Sequence, residues 1–227
     1  LGLPNLMIQR IGAAQGENDV GAIVEYFSSG LLALSCLALV LMVVFGVISI
    51  WLPDWMQLDD IESRKLRTSF LIGVLAAGIK VVNNSAVGLA RGVQDTILIN
   101  VMVVASSLIS FIVTLVLVLK GVGLISIAIG LLVRALVSIS GSVFFVVSYL
   151  HRIGARTLQI RLPILREYLK MLPVTGSAGL SYALMNQSES ALIAIFIRPE
   201  VATIFTLSRK AIDVSRSLVD VIGTAVY

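Results

Sequence analysis

Residues 30–52, GLLALSCLALVLMVVFGVISIWL, decide the class of fold. They contain no charged side chain and exceed the roughly 20 apolar residues that a helix needs to cross a hydrocarbon layer. Trp51, Pro53 and Trp55 close the run as an aromatic belt at a membrane surface. The whole 227-residue chain has the same character. It is 58% hydrophobic and only 13% charged, against about 25% charged residues in an ordinary soluble domain. The fold class expected is all-α, a polytopic bundle of transmembrane helices. The net charge of +4 does not point to nucleic acid, because the basic residues gather in loops and at helix ends, where they set orientation. The single cysteine, Cys36, excludes a disulfide framework and a thiolate metal cluster, and reads as a lipid-facing or packing residue.

Outward from this span, residues 1–11 read as the exit of a preceding helix, followed by the polar loop AAQGENDVG. On the other side, 54–67 reads as a charged loop. Its paired Asp59 and Asp60 lack any histidine, so it is taken as solvated, with no metal. A second span over about 69–90 carries Lys80, Asn83 and Asn84 near its middle and Arg91 at its end; Lys80, Asn84 and Arg91 fall on one helical face at i, i+4 and i+11. Gly88 and Gly92 form a small-xxx-small pair, a signal for close helix packing. A third span, about 97–119, has only serine, threonine and asparagine as polar groups and reads as scaffold. Lys120-Gly121-Val122-Gly123 turns the chain into a fourth span, about 124–149. Arg134 lies inside it, with Ser138, Gly141 and Ser142 continuing its face. Arg134 is either a cavity group or a snorkelling anchor.

Residues 151–172 change character, with Arg152, Arg156, Arg161, Arg166 and Lys170 against Glu167 alone. Leu162, Leu165, Leu169 and Leu172 keep one side apolar, the pattern of an interfacial helix. His151, the single histidine, is read as a headgroup-level residue. This basic linker divides the chain into 1–150, 151–172 and 173–227. In the last part a fifth span, starting at Leu172-Pro173, carries Glu189. It is followed by the stretch 207–220, LSRKAIDVSRSLVD, in which Arg209, Asp213, Arg216 and Asp220 share one helical face, with Lys210 beside it. A charge at the centre of a bilayer costs about 2.5–3.5 kcal/mol on insertion scales, so such a stripe must face protein or water. Counted by alternate loops, one side holds Arg10, Arg91, Arg152, Arg156, Arg161, Arg166 and Lys170, the other Arg64, Lys65, Arg67, Lys120 and Arg198. The richer side is expected to be cytoplasmic.

The stretches LGLPNLMIQRIGAAQG, VGLARGVQD, LREYLKMLPVTGSAGLSYAL and SALIAIFIRPEVATIFTLSRKAIDV together resemble the polysaccharide or O-antigen flippases of the multidrug/oligosaccharidyl-lipid/polysaccharide exporter superfamily. Arg198-Pro199-Glu200 stands where that family more often has a turn containing glycine. The resemblance implies a multi-pass protein of the bacterial inner membrane with two halves, about 12 to 14 helices in all. This chain would supply the end of helix 2, helices 3–6, the linker, and two helices of the second half. It implies a carrier and not an enzyme, with no catalytic residue, cofactor or metal. Its cargo would be a lipid-linked oligosaccharide, moved by alternating access. Membrane lipid and other polysaccharide-assembly membrane proteins would be its partners. Buried cations and amides suit a diphosphate and sugar hydroxyls, so the substrate-binding residues expected are Lys80, Asn83, Asn84, Arg134, Arg209, Lys210 and Arg216, with Glu189 or Asp213 for a coupling ion. A multidrug cation exporter, expected to have an acidic and aromatic cavity, and a membrane glycan polymerase or ligase, expected to have a large catalytic loop, are the alternative functions.

Overall fold

The computed structural model describes residues 2–56, 60–123, 125–155, 157, 159–171 and 173, with the backbone alone at 54–56 and 60–62. The chain divides into two compact units, Leu1–Pro173 and Val174–Tyr227, and every described residue belongs to the first. That unit is all-helical: α1 (Gly2–Gly16), α2 (Val20–Met56), α3 (Asp60–Gly92), α4 (Ile97–Leu119) and α5 (Ile125–Arg152), then a short α6 over 162–171. Four of these, α2 to α5, are long and apolar enough to cross a membrane. The protein is membrane-embedded.

Several helix boundaries differ from the sequence reading for one physical reason. α2 has 37 residues, roughly 55 Å at 1.5 Å per residue, against a hydrocarbon thickness of roughly 30 Å. It therefore starts well before Gly30 and runs through Pro53, and α3 starts at Asp60, taking in much of the charged segment expected to be a loop. Charge marks where a helix leaves the hydrocarbon, not where it stops. Likewise α1 continues to Gly16, which shortens the expected polar loop to 17–19.

Helix ends are closed by one repeated device. Asn18, Gln94, Gly121 and Gly154 all have left-handed φ, between 54° and 76°. The next residue donates its N–H to a carbonyl five positions back: Asp19 to Ala14, Asp95 to Ala90, Val122 to Leu117 and Ala155 to Leu150. This satisfies carbonyls that the last turn of each helix leaves unpaired. The first two turns share the pattern Ala-x-Gly-x-Asn/Gln-Asp (14–19 and 90–95). Asp19 then caps α2, accepting the N–H of Ala22 at 2.9 Å.

Packing is inside-out relative to a soluble bundle. α4 turns Ile97, Val101, Val104, Leu108, Phe111, Ile112 and Leu119 outward and buries Ser106 and Ser110. Several serines return their hydroxyl to their own helix, as Ser28 to Val24 O and Ser85 to Val82 O do. Cys36 is exposed, as a lipid-facing residue would be. The densest core gathers at one end, where Met7, Ile11, Phe27, Leu89, Phe145 and Tyr168 are buried together. α1 wedges between α2 and α3 there. Met7 lies against Gly30 and Gly88, and a Cβ built on Gly92 would stand 2.6 Å from Ile11 Cγ2. The small-residue pair is thus a helix contact, as the sequence suggested, and its partner is α1.

α6 docks at this same end. Arg10 pairs with Glu167 at 2.6 Å and Arg161 with Glu25 at 2.8 Å. The face of α6 that packs on the protein is not its leucine row, which is left for the membrane surface as an interfacial helix requires. Tyr168 is fully buried, with Ile164 and Leu165 partly so, whereas Leu162 is 75% and Leu169 45% exposed. Leu172 lies outside the described residues. Tyr168 wins because its ring buries more area than a leucine and its hydroxyl still reaches Tyr26 O, at 3.5 Å. Arg10 is held charged above its usual range by its hydrogen bond and charge interaction with Glu167.

Gly92→Ala should destabilise the protein in detergent by about 1–3 kcal/mol, because the added methyl meets Ile11. Gly46→Ala, where nothing lies within 4 Å, should be neutral or slightly stabilising; thermal unfolding of both variants checks the pair. Burial, with Glu167 close by, pushes the Tyr168 hydroxyl well above the ordinary tyrosine pKa. The folded state therefore holds that proton more tightly than the unfolded one. Its contribution is complete below about pH 10 and is lost as pH rises through the folded value. Tyr168→Phe should flatten this alkaline loss in a pH series of unfolding curves.

Candidate functional site

Along α3 the residues Gly73, Ala76, Ala77, Lys80, Asn83, Asn84 and Val87 recur at i, i+3, i+4 and i+7, and all line one cleft of about 330 Å³. α5 faces them with Leu131, Arg134, Ala135 and Ser138 in the same rhythm, and α4 adds Val103 and Ser106. The small residues of α3 make the room. The polar ones line the widened space near the middle of a span that runs over Ser63–Gly92.

Cross-helix hydrogen bonds fix α5 against its neighbours. Ser110 of α4 donates to Gly130 O at 2.7 Å, a close approach at a residue without a side chain. Asn83 of α3 donates from Nδ2 to Ser138 Oγ at 3.0 Å. Asn83 is 8% exposed, and its Oδ1 is buried without a hydrogen-bond partner. Turning the amide over would only exchange which of its atoms meets Ser138, so one is orphaned in either orientation. A buried polar atom left so costs about 1–3 kcal/mol, and it stands in the wall of the cleft. Lys80 and Arg134, both exposed to the cleft, have no ion-pair partner among the described residues. Two cations and amide groups around one space have the chemistry to pair with an anion that carries hydroxyls or other donors.

The structure brings together Lys80, Asn83, Asn84 and Arg134 of the residues singled out in the sequence. Arg134 lines the cleft and is exposed. Ser138 continues its face as expected, while Gly141 packs against Met102 and Ser142 is buried. Arg91 does not join Lys80 and Asn84. Eleven residues along α3 is roughly 16 Å, which carries it out of the cleft to an exposed helix end. The third span is more than scaffold, since Ser106 lines the cleft and Ser110 ties α4 to α5. Glu189, Arg209, Lys210, Asp213 and Arg216 lie outside the described residues.

Two features escaped the sequence reading. One is the pair of Glu25, 8% exposed, with Arg161; its signal was a carboxylate inside the first turns of a helix whose start was placed too late. The other is the small-residue stripe at 73, 76 and 77, whose period joins that of Lys80 and Asn83. No protein family, curated protein or solved structure matches the chain.

Single cysteines at 80, 84 and 134, in a background with Cys36 replaced, should react with a charged, water-soluble maleimide in intact membranes. Cysteines at 101, 108 and 111, on the outer face of α4, should not. Equal protection of both sets would remove the hydrated cleft.

Proposed function

We propose that this chain is part of a membrane carrier that moves a lipid-linked oligosaccharide from the cytoplasmic to the outer face of a bacterial inner membrane. The observation that carries the reading is the cleft in which Lys80, Arg134, Asn83 and Asn84 meet between three of the four apolar helices. A phosphate-bearing glycan crossing hydrocarbon needs cations for its charge and amides for its hydroxyls. Lys80 and Arg134 would take the phosphate oxygens, Arg134 as a fork and Lys80 as a point charge, and the orphaned Asn83 amide would meet a sugar hydroxyl.

The resemblance of the sequence to polysaccharide flippases supports the same reading. In that frame, the described unit is most of the first half of a two-half transporter of about 12 to 14 helices, the basic segment 151–172 links the halves, and Arg209, Lys210 and Arg216 complete the cationic lining. Glu189 or Asp213 would hold a coupling proton or sodium ion. Alternating access would present the cleft first to one side and then to the other. A multidrug cation exporter would need carboxylates where this cleft has cations, and none lines it among the described residues.

Reconstitution of the full protein in liposomes with a fluorescent lipid-linked oligosaccharide tests the proposal. Movement of the label to the opposite leaflet is expected, with the Lys80→Ala/Arg134→Ala double variant slowed at least tenfold and Lys80→Arg largely active. No movement above protein-free liposomes would overturn it.

A further inference from the structure

A second hollow, of about 470 Å³, lies between α2, α3 and α5 on the side away from α6. Its wall is hydrocarbon almost throughout, with Leu41, Phe45, Phe70, Val74 and Ile127 prominent. It shares Gly73, Ala77 and Leu131 with the cationic cleft. At Gly78, in the same wall, a built Cβ would meet Met42 Sδ at 2.6 Å, so the helices already touch beside the hollow. An apolar groove alone could hold any lipid chain. This one shares three wall residues with a space that holds two cations lacking ion-pair partners and a buried amide atom lacking a hydrogen bond among the described residues. Each volume falls within the roughly 300–1,000 Å³ of small-molecule sites.

We infer that the two hollows form one bipartite site for a single anionic amphiphile, a prenyl-type chain in the α2/α3/α5 groove and its phosphate head in the Lys80–Arg134 cleft. The inference rests on the carrier reading for its choice of a phosphate head and adds where the tail lies: inside this helical unit and not in bulk lipid. The junction at Gly73, Ala77 and Leu131 then sets specificity, because it is where the chain must pass into the head site. A side chain enlarged there narrows the wall common to the two hollows while leaving the cations and Asn83 in the sequence.

The test uses the purified full protein in detergent and radiolabelled farnesyl diphosphate as probe, with unlabelled farnesol and inorganic pyrophosphate as competitors. Saturable binding is expected, with each competitor at least tenfold weaker than unlabelled farnesyl diphosphate. Ala77→Leu should weaken farnesyl diphosphate at least tenfold while leaving pyrophosphate competition in place. Lys80→Ala/Arg134→Ala should do the reverse, losing pyrophosphate competition and keeping that of farnesol. Elution as a single symmetrical peak on size exclusion qualifies each variant, and Ala77→Phe replaces Ala77→Leu if that protein does not pass. Pyrophosphate matching farnesyl diphosphate, or an undiminished affinity in the Ala77 variant, overturns the joined site. Farnesol matching farnesyl diphosphate overturns the head site. The liposome assay separates this from the carrier reading: oligosaccharide movement unaffected by Ala77→Leu sinks the tail groove alone, and intact bipartite binding without movement sinks the carrier alone.

Discussion

Hydrocarbon cannot hydrogen-bond, and this one constraint organises the whole unit. Every polar group that enters the span must find a partner inside the protein. The serines meet the demand with their own helix carbonyls, the helix ends meet it with left-handed residues and five-residue return bonds, and Ser110 meets it across helices at Gly130. With the demand met so widely, the places where it is not met become informative. Asn83 Oδ1, Lys80 and Arg134 are such places, and they stand around one cleft.

The same constraint explains what could be read from the chain beforehand. The apolar run from Gly30 and the third span, 97–119, are visible because nothing within them needs a partner, and α4 matches its expected bounds. Lys80, Asn83 and Arg134 stood out because they break such runs. The extents of α2 and α3 were less legible, since a helix pays no penalty for charge once it has left the hydrocarbon. Pro53 lies within the last turn of α2 and does not end it. On α6 the leucine row was legible, and Leu162 and Leu169 lie exposed as an interfacial face would; the burial of Tyr168 was not, because it depends on residues of α1 and α2 that leave no local signature.

The cleft was half legible. Periodicity within α3 placed Lys80 and Asn84 on one face, but the volume beside them depends on the small residues at 73, 76 and 77 and on which helix lies opposite. That α5 presents Arg134 and Ser138 to this face, and that α4 adds Ser106, are facts of tertiary packing. Helical spacing proposes a face; it does not name its neighbour. Arg91 shows the same limit, because a face shared over three turns spans too much length for one site.

Arg10–Glu167, Arg161–Glu25 and Arg152–Asp95 join α1, α2, the turn before α4, the end of α5 and the segment after it, over the densest part of the core. Among the described residues no ion pair crosses the opposite end, where α2, α3 and α5 enclose only the apolar hollow. The described ties are thus gathered at one rim, like the band of a sheaf, and each of them joins segments far apart in the chain.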